Sequence, residues 1–427
     1  MATSEHYPEA NTVCPGYHSG AGGSPVSISL SDKKNSVEPT ARKGWSNYST
    51  LMQVVNEGRR SLSLVGVLLV VGVVFNILTD GLFFTSRNLT FLSIQVAITA
   101  ILACGIVMVM VAGHIDLSTG SAAAVTGIMS AVIAQDLSES LVVIVVLTVV
   151  IGAIIGAWHA FWIAVLRVPA FIVTLASLLA LRGVSLLITE GESIRAGQGL
   201  IDIVNAYVPP LPTALIFAAL LILIVWLRYA DWKALRVAGL PSPMWSGFGL
   251  PAAVTVVGIA VIVAIFVPYR GLPVPVLVLV VVALAISLVL RYTKRGRHIY
   301  AIGGNEDAAF LSGVKIKGTT ALIFISMGVL YALAGLILVG RLGAATPNAA
   351  SGLELSVIAA AVIGGTSLFG GVGTIIGAIT GAVLMESLNS GMSLLNLPSY
   401  WQQITAGLVL LVAVYLDIRG RRQGTGR

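Results

Sequence analysis

The stretch "LTFLSIQVAITAILACGIVMVMVA", Leu89–Ala112, contains no Asp, Glu, Lys or Arg. A helix of about 20 such residues covers the hydrocarbon core of a bilayer. Apolar side chains occupy every face of it, without the strict alternation that marks a membrane-spanning β-strand. The segment reads as a transmembrane helix.

The pattern repeats outward from there. Apolar runs lie at Leu62–Phe84, Leu89–Ala112, Thr119–Gln135, Leu141–Leu166, Pro169–Thr189, Leu211–Leu227, Leu250–Val267, Val274–Leu290, Thr319–Gly340, Leu355–Gly365, Val372–Leu388 and Gln402–Leu416. Of the 427 residues, 57% are hydrophobic and 10% charged, with a mean hydropathy of +0.96. Soluble domains carry roughly a quarter charged residues. The fold class is therefore all-α, a polytopic transmembrane helical bundle of about 12 spans. Leu355–Gly365 is too short to cross alone and reads as a half-helix. Residues 1–60 are polar, rich in Gly, Ser, Pro and Asn, and lack both helical periodicity and a signal peptide, so they read as a disordered tail. Residues 61–418 form the transmembrane domain, and 419–427 a short C-terminal tail. Cys14 and Cys104 make no metal or disulfide pattern, and Cys104 reads as a small packing residue.

The formal net charge of +7 points to a membrane surface rather than nucleic acid, because Lys and Arg sit at the ends of apolar runs. Arg59 and Arg60 precede the first run, Arg228, Lys233 and Arg236 follow the sixth, and Arg419, Arg421 and Arg422 follow the last. With an even number of crossings these clusters share one side. "QDLSES" and "ITEGESIRAGQGLIDIVNAYVPPLP", poor in Lys and Arg, fall on the other. The positive-inside rule puts both termini in the cytoplasm. It puts Arg291–Gly318 there too, a polar interruption with six Lys or Arg residues. Within it, "NEDAAFLSG" reads as an Asn305 cap, acids in the first turn, a short helix and a Gly313 stop. So short a helix is not stable alone and needs a partner surface.

Glycine gathers where helices should touch. Gly373, Gly377 and Gly381 give one flat helix face, and Gly152 and Gly156 repeat the device. In "GGTSLFGG", Gly364, Gly365, Gly370 and Gly371 bracket a break between two apolar runs, as at discontinuous helices beside a substrate path.

Charges inside the runs are few and therefore informative. In "GHIDLS", Asp116 or Ser118 reads either as the N-cap of the helix beginning near Thr119 or as part of a translocation path, two compatible roles. Glu386 has no obvious basic partner in sequence and reads as a core acid or a pore residue. His159, between two tryptophans in "GAWHAFW", is better explained by an interfacial aromatic cluster than by proton chemistry. Arg167 reads as an end-of-helix anchor. No Gly-Lys dipeptide occurs, so this chain has no P-loop for ATP. It has no His-Glu-x-x-His, cysteine cluster or nucleophile elbow either, and nothing calls for a bound metal or cofactor.

"AGHIDLSTGS" (Ala112–Ser121), "RHIYAIGGNEDAAFLSGV" (Arg297–Val314) and "AAAVIGGTSLFGGVGTIIGA" (Ala359–Ala378) resemble the permease subunits of bacterial ABC importers for monosaccharides. These belong to the branched-chain amino acid and ribose-type permease family, and the resemblance covers about Leu62–Ile418. It implies a type II importer of the bacterial inner membrane. Two permease subunits, a homodimer in the bilayer, would make the path. A tandem-domain ATPase would dock beneath, and an extracytoplasmic sugar-binding protein would deliver the sugar. Gly303, Asn305, Glu306, Asp307, Ala308, Ala309, Ser312 and Gly313 match the loop that forms the ATPase-coupling helices. Ribose-type members have about ten spans; the additional pair near Leu211–Val267 departs from them and resembles the longer layout of D-xylose permeases. Two other classes compete. A secondary transporter would use Asp116 and Glu386 as ion sites, and a membrane enzyme would need a titratable constellation that the sequence lacks.

Overall fold

The computed structural model describes residues 64–237, 239 and 243–425, so the expected disordered tail lies outside the described residues. An all-α bundle results, with a helix at each of the twelve apolar runs. The first helices are α1 (Leu64–Leu78), α2 (Ser86–Val111), α3 (Thr119–Val132), α4 (Leu141–Ala160) and α5 (Ala170–Thr189). After a short α6 (Gln198–Val204) come α7 (Pro210–Val237), α8 (Leu250–Phe266) and α9 (Val274–Tyr292). Two polar helices follow, α10 (Lys294–Gly304) and α11 (Glu306–Leu311). The chain ends with α12 (Ile316–Leu342), α13 (Leu353–Ile363), α14 (Ile375–Leu394) and α15 (Ser399–Thr425). Among the described residues, nine helical segments are long and apolar enough to cross a membrane, α3 and α8 together with adjoining π-helical residues (to Leu137 and from Gly247), while α1 and α13 are shorter. α15 continues to Thr425, through most of the residues read as a tail.

The core is built around α2 and α12. α2 is apolar on every face and almost wholly enclosed by protein, as such a helix must be wherever lipid does not cover it. α12 packs across α4, α3 and α2. Its crossing with α4 is made of glycine: a Cβ on Gly152 would strike the Gly328 carbonyl oxygen, and one on Gly156 the Phe324 carbonyl oxygen. Lipid tails are as apolar as leucine, so contact between helices gains from close backbone approach rather than from hydrophobic drive. The expectation for Gly152 and Gly156 therefore holds. α13 meets α14 in the same way, Gly377 against Gly364 and Gly381 against Ala360. Gly373 does not share that face. It precedes α14, whose N-cap is Thr374, and packs on Val111 and Thr366.

Two antiparallel ladders of two residues each close the end of the bundle away from α10 and α11. β1 (Ile194–Arg195) pairs with β4 (Ala344–Ala345), and β2 (Tyr207–Val208) with β3 (Leu272–Pro273). The additional pair, α7 and α8, packs together at the periphery, largely exposed. An ion pair between Arg291 and Asp231 links α7 to α9.

Candidate functional site

Three polar clusters stand out in this apolar bundle. The first is the turn between α2 and α3. Asp116 is completely buried there. Its Oδ1 accepts from the Ser118 backbone N–H at 2.8 Å and from the Ser118 hydroxyl at 2.7 Å, and its Oδ2 accepts from the Tyr331 hydroxyl of α12. Thr174 of α5 donates to the Ile115 carbonyl at 3.2 Å. The turn is thus pinned between α5 and α12. The capping role expected of Ser118 is not formed: it occupies the N-cap position without a side-chain hydrogen bond to the helix. Asp116 serves an Asx-type turn and a contact across the bundle instead.

His159 belongs to the same cluster. It is fully buried, with its ring 6.3 Å from that of Tyr331 and 6.2 Å from that of Phe324. That overturns its reading as an interfacial residue. Trp158 and Trp162 make the aromatic pair, and Trp158 lies exposed while His159 points inward. Neither ring nitrogen of His159 has a hydrogen-bond partner among the described residues.

The second cluster is the α10–α11 end. Thr293 caps α10, accepting from Gly296 N–H at 3.1 Å, and Asn305 caps α11, accepting from Ala308 N–H at 2.8 Å. Ser312 donates to the Ala308 carbonyl at 2.7 Å. Gly313, at φ 84°, closes α11 by donating to the Phe310 carbonyl, while Val314 donates to that of Ala309. These two bonds form a Schellman motif, which favours glycine at the left-handed position. Ala309 is buried, Phe310 and Leu311 project outward, and Glu306 and Asp307 are exposed. Beside them lies a cavity of about 860 Å3 lined by His114, Arg167, Glu306, Asp307, Lys315 and Lys317 among others.

The glycine break meets this second cluster. Gly371 N–H donates to the Val111 carbonyl at 2.9 Å, and the Tyr300 hydroxyl to the Gly373 carbonyl at 2.7 Å. A Cβ on Gly303 would strike the Val111 carbonyl oxygen, and Gly370 lies against Gly303. Gly365, Gly370 and Gly371 all adopt positive φ. The structure therefore joins Gly303 to Gly370 and Gly371, and places "GGTSLFGG" at the α10–α11 end rather than halfway along the bundle. Gly364 packs on α14.

The third cluster lies towards the opposite end, around Glu386. Thr99 donates to its Oε1 at 2.6 Å, and Asn389 to its Oε2 at 3.3 Å. Arg341, in the last turn of α12, interacts with it electrostatically. A basic residue absent from the sequence around Glu386 is thus brought near it by α12, without an ion pair between them among the described residues. A signal existed for it: Arg341 ends a span on the side otherwise poor in Lys and Arg. Tyr331 and Thr99 carried no comparable signal, since a single hydroxyl within an apolar run is unremarkable. The structure thus separates Glu386 from Asp116, Ser118 and the glycine break.

Comparison with known proteins agrees with this architecture. The family model described as branched-chain amino acid transport system / permease component matches residues 88–414. The xylose transport system permease protein XylH of Escherichia coli is 38% identical over 372 residues, covering 86% of this chain and 95% of that protein. Its Haemophilus influenzae counterpart is 38% identical over 82% of this chain and 93% of its own length. The ribose import permease protein RbsC of Escherichia coli is 34% identical over 83% of this chain and 92% of its own. No solved structure matches the chain. With three quarters of its length inside the family model and relatives matched nearly end to end, the chain belongs to the branched-chain amino acid transport system permease family.

Proposed function

We propose that the chain is the membrane permease subunit of an ATP-driven importer for a monosaccharide, D-xylose or a related pentose. The likeness to xylose permeases along nearly their whole length carries this reading. The sequence has no P-loop, and this reading places ATP hydrolysis on a separate ATPase subunit. We assign the docking of a tandem-domain ATPase to α10 and α11. A six-residue helix has little stability of its own, yet this one is capped at both ends and turns Phe310 and Leu311 outward. Such a surface needs a partner, and Glu306 and Asp307 make lipid a poor one. The α10–α11 end and both termini then lie in the cytoplasm of a bacterial inner membrane, in keeping with the charge bias. The remaining partners are a second copy of the permease and an extracytoplasmic sugar-binding protein.

In this reading the seven path residues divide by position. Glu386 lies towards the receiving end. Asp116 and Ser118 brace the turn that abuts the coupling cavity. Gly364, Gly365, Gly370 and Gly371 link coupling to path, since Gly303 packs on the break and the break leads into α14, which carries Glu386. Proteoliposomes holding this chain, the ATPase and the binding protein should take up D-xylose only with ATP, with vanadate blocking uptake and a protonophore leaving it unchanged. Uptake that runs without ATP and collapses with the protonophore overturns the reading. A panel of pentoses and hexoses tested on the binding protein identifies the sugar.

A further inference from the structure

Towards the end of the bundle away from α10 and α11, a cavity of about 400 Å3 opens between α2, α12, α13, α14 and α15. Sites for small organic ligands span about 300–1,000 Å3, so this one suits a solute of a few heavy atoms. Its lining is unusual for a bundle so apolar: Gln95, Thr99, Arg341, Glu386, Asn389 and Gln402 all contribute. Glu386 is only 7% exposed. A carboxylate offers about four acceptor positions, and Thr99 and Asn389 fill two of them. Among the described residues, neither the Gln95 amide nor the Arg341 guanidinium is engaged in a hydrogen bond. The cavity thus presents partly exposed donors and acceptors from Gln95 and Arg341, open to a solute, beside the nearly buried Glu386 carboxyl group.

We propose that this cavity is a binding site for a neutral, polyhydroxylated solute of monosaccharide size, held by Glu386, Arg341, Asn389, Gln95 and Gln402. Charge argues for neutrality. The lining has one acid and one base that offset each other, and the other polar groups are uncharged. An anion would face Glu386, and a cation Arg341. Carboxylate, guanidinium and amide are planar forks that engage two adjacent hydroxyls at once, each hydroxyl both giving and accepting. Ile98 and Leu338, in the same wall, offer apolar surface to the C–H face of a sugar ring. The class of solute rests on the importer reading given above; the site itself rests on the cavity.

The test is equilibrium binding of radiolabelled D-xylose to the full chain in lipid nanodiscs, without the binding protein. Saturable binding is expected, weakened about tenfold or more in Glu386→Gln and in Gln95→Leu, as loss of a hydrogen bond within a buried site requires. Gln95 has no hydrogen bond among the described residues to lose, so Gln95→Leu should keep the wild-type melting temperature and tests the site even if Glu386→Gln does not fold. Unlabelled L-leucine should not compete. The proposal is overturned by absence of saturable binding, by wild-type affinity in folded Gln95→Leu, or by competition from leucine matching that from xylose. If the reconstituted importer moves xylose while the nanodisc sample binds none, the cavity assignment alone fails. If the chain binds xylose but uptake needs no ATPase, the importer reading alone fails.

Discussion

The most apolar 18-residue stretches of α2 and of the segment Gly247–Phe266 that contains α8 have equal mean hydropathy, yet 94% of the first is buried and only 6% of the second. Hydropathy registers that both avoid water and says nothing of whether protein or lipid covers them. The difference lies in side-chain size and scattered polar atoms. α2 offers Gly105 to Met327 and Leu330 of α12, and its Thr99 reaches Glu386 on α14. α8 carries Gly258, which meets nothing within 4 Å, and presents Val254, Val257 and Val261 outward. Within a membrane, a helix is drawn inward by what it lets a neighbour approach and by the hydroxyl it can share.

The sharpest way to break this comparison is a pair of matched substitutions. Gly328→Leu on α12 must push the α4 backbone away at Gly152 and Gly156, and overpacking at a backbone contact should cost more than about 3 kcal/mol. Gly258→Leu on α8 adds a side chain to open space. Expression and monodispersity in detergent should collapse for the first and stay at wild-type level for the second. Equal behaviour of the two would mean that exposure of α8 is not what separates it from the core.

Next in size is α11, where exposed apolar side chains are met outside any span. Ala309 is buried against its surroundings while Phe310 and Leu311 project, so Ala309→Trp should displace the helix and Glu306→Lys should reverse a charge on its outward face. Both should abolish sugar uptake and weaken co-purification with the ATPase while the permease inserts normally. Full ATPase binding and sugar-stimulated hydrolysis in both variants would remove α11 from coupling.

How far the sequence discloses these features follows from the distance over which each is determined. The caps of α11 lie within nine residues, and Asn305 and Gly313 announce them. Asp116 announces itself as a rare acid, but its partner Tyr331 lies 215 residues away and on the sequence is one aromatic among many. His159 misleads because its neighbours are tryptophans; whether a residue in α4 faces lipid or α12 depends on a crossing made by glycines. Gly373 keeps the spacing of four with Gly377 yet lies before the Thr374 cap, because a helix begins where its first turn is capped rather than where a small-residue pattern does.

Those buried hydroxyls set the scale of the third effect. In Tyr331→Phe, Asp116 Oδ2 loses its donor inside a fully buried site, which should cost about 1–3 kcal/mol. Asp116→Asn keeps a carbonyl oxygen for Ser118 but presents an amide N–H to Tyr331, whose hydroxyl can turn to accept it, so its effect on stability should be smaller while uptake falls. Thermal unfolding of the singles and the double variant gives the coupling between the two side chains. Additive losses would show that the contact is incidental, and normal uptake by Asp116→Asn would reduce that residue to a replaceable turn former.

The smallest effect is expected where α7 and α8 join the rest. Arg291 and Asp231 pair across α9 and α7 with side chains 60% and 36% exposed. An exposed pair gains little Coulomb energy in water and spends side-chain freedom to form, so its net worth is about 0–1 kcal/mol. The β2–β3 ladder also ties the loops that flank this pair of helices, independently of the ion pair. Asp231→Asn should therefore lower thermal stability by less than about 1 kcal/mol, and most of that small loss should vanish in high salt, where exposed charges are screened. Uptake should be unchanged, since neither side chain belongs to the turn, the glycine break or the Glu386 cluster. A loss of several kcal/mol, or new protease cleavage between α7 and α8, would show that the peripheral pair hangs on this one contact and that its attachment, unlike the core's, is electrostatic.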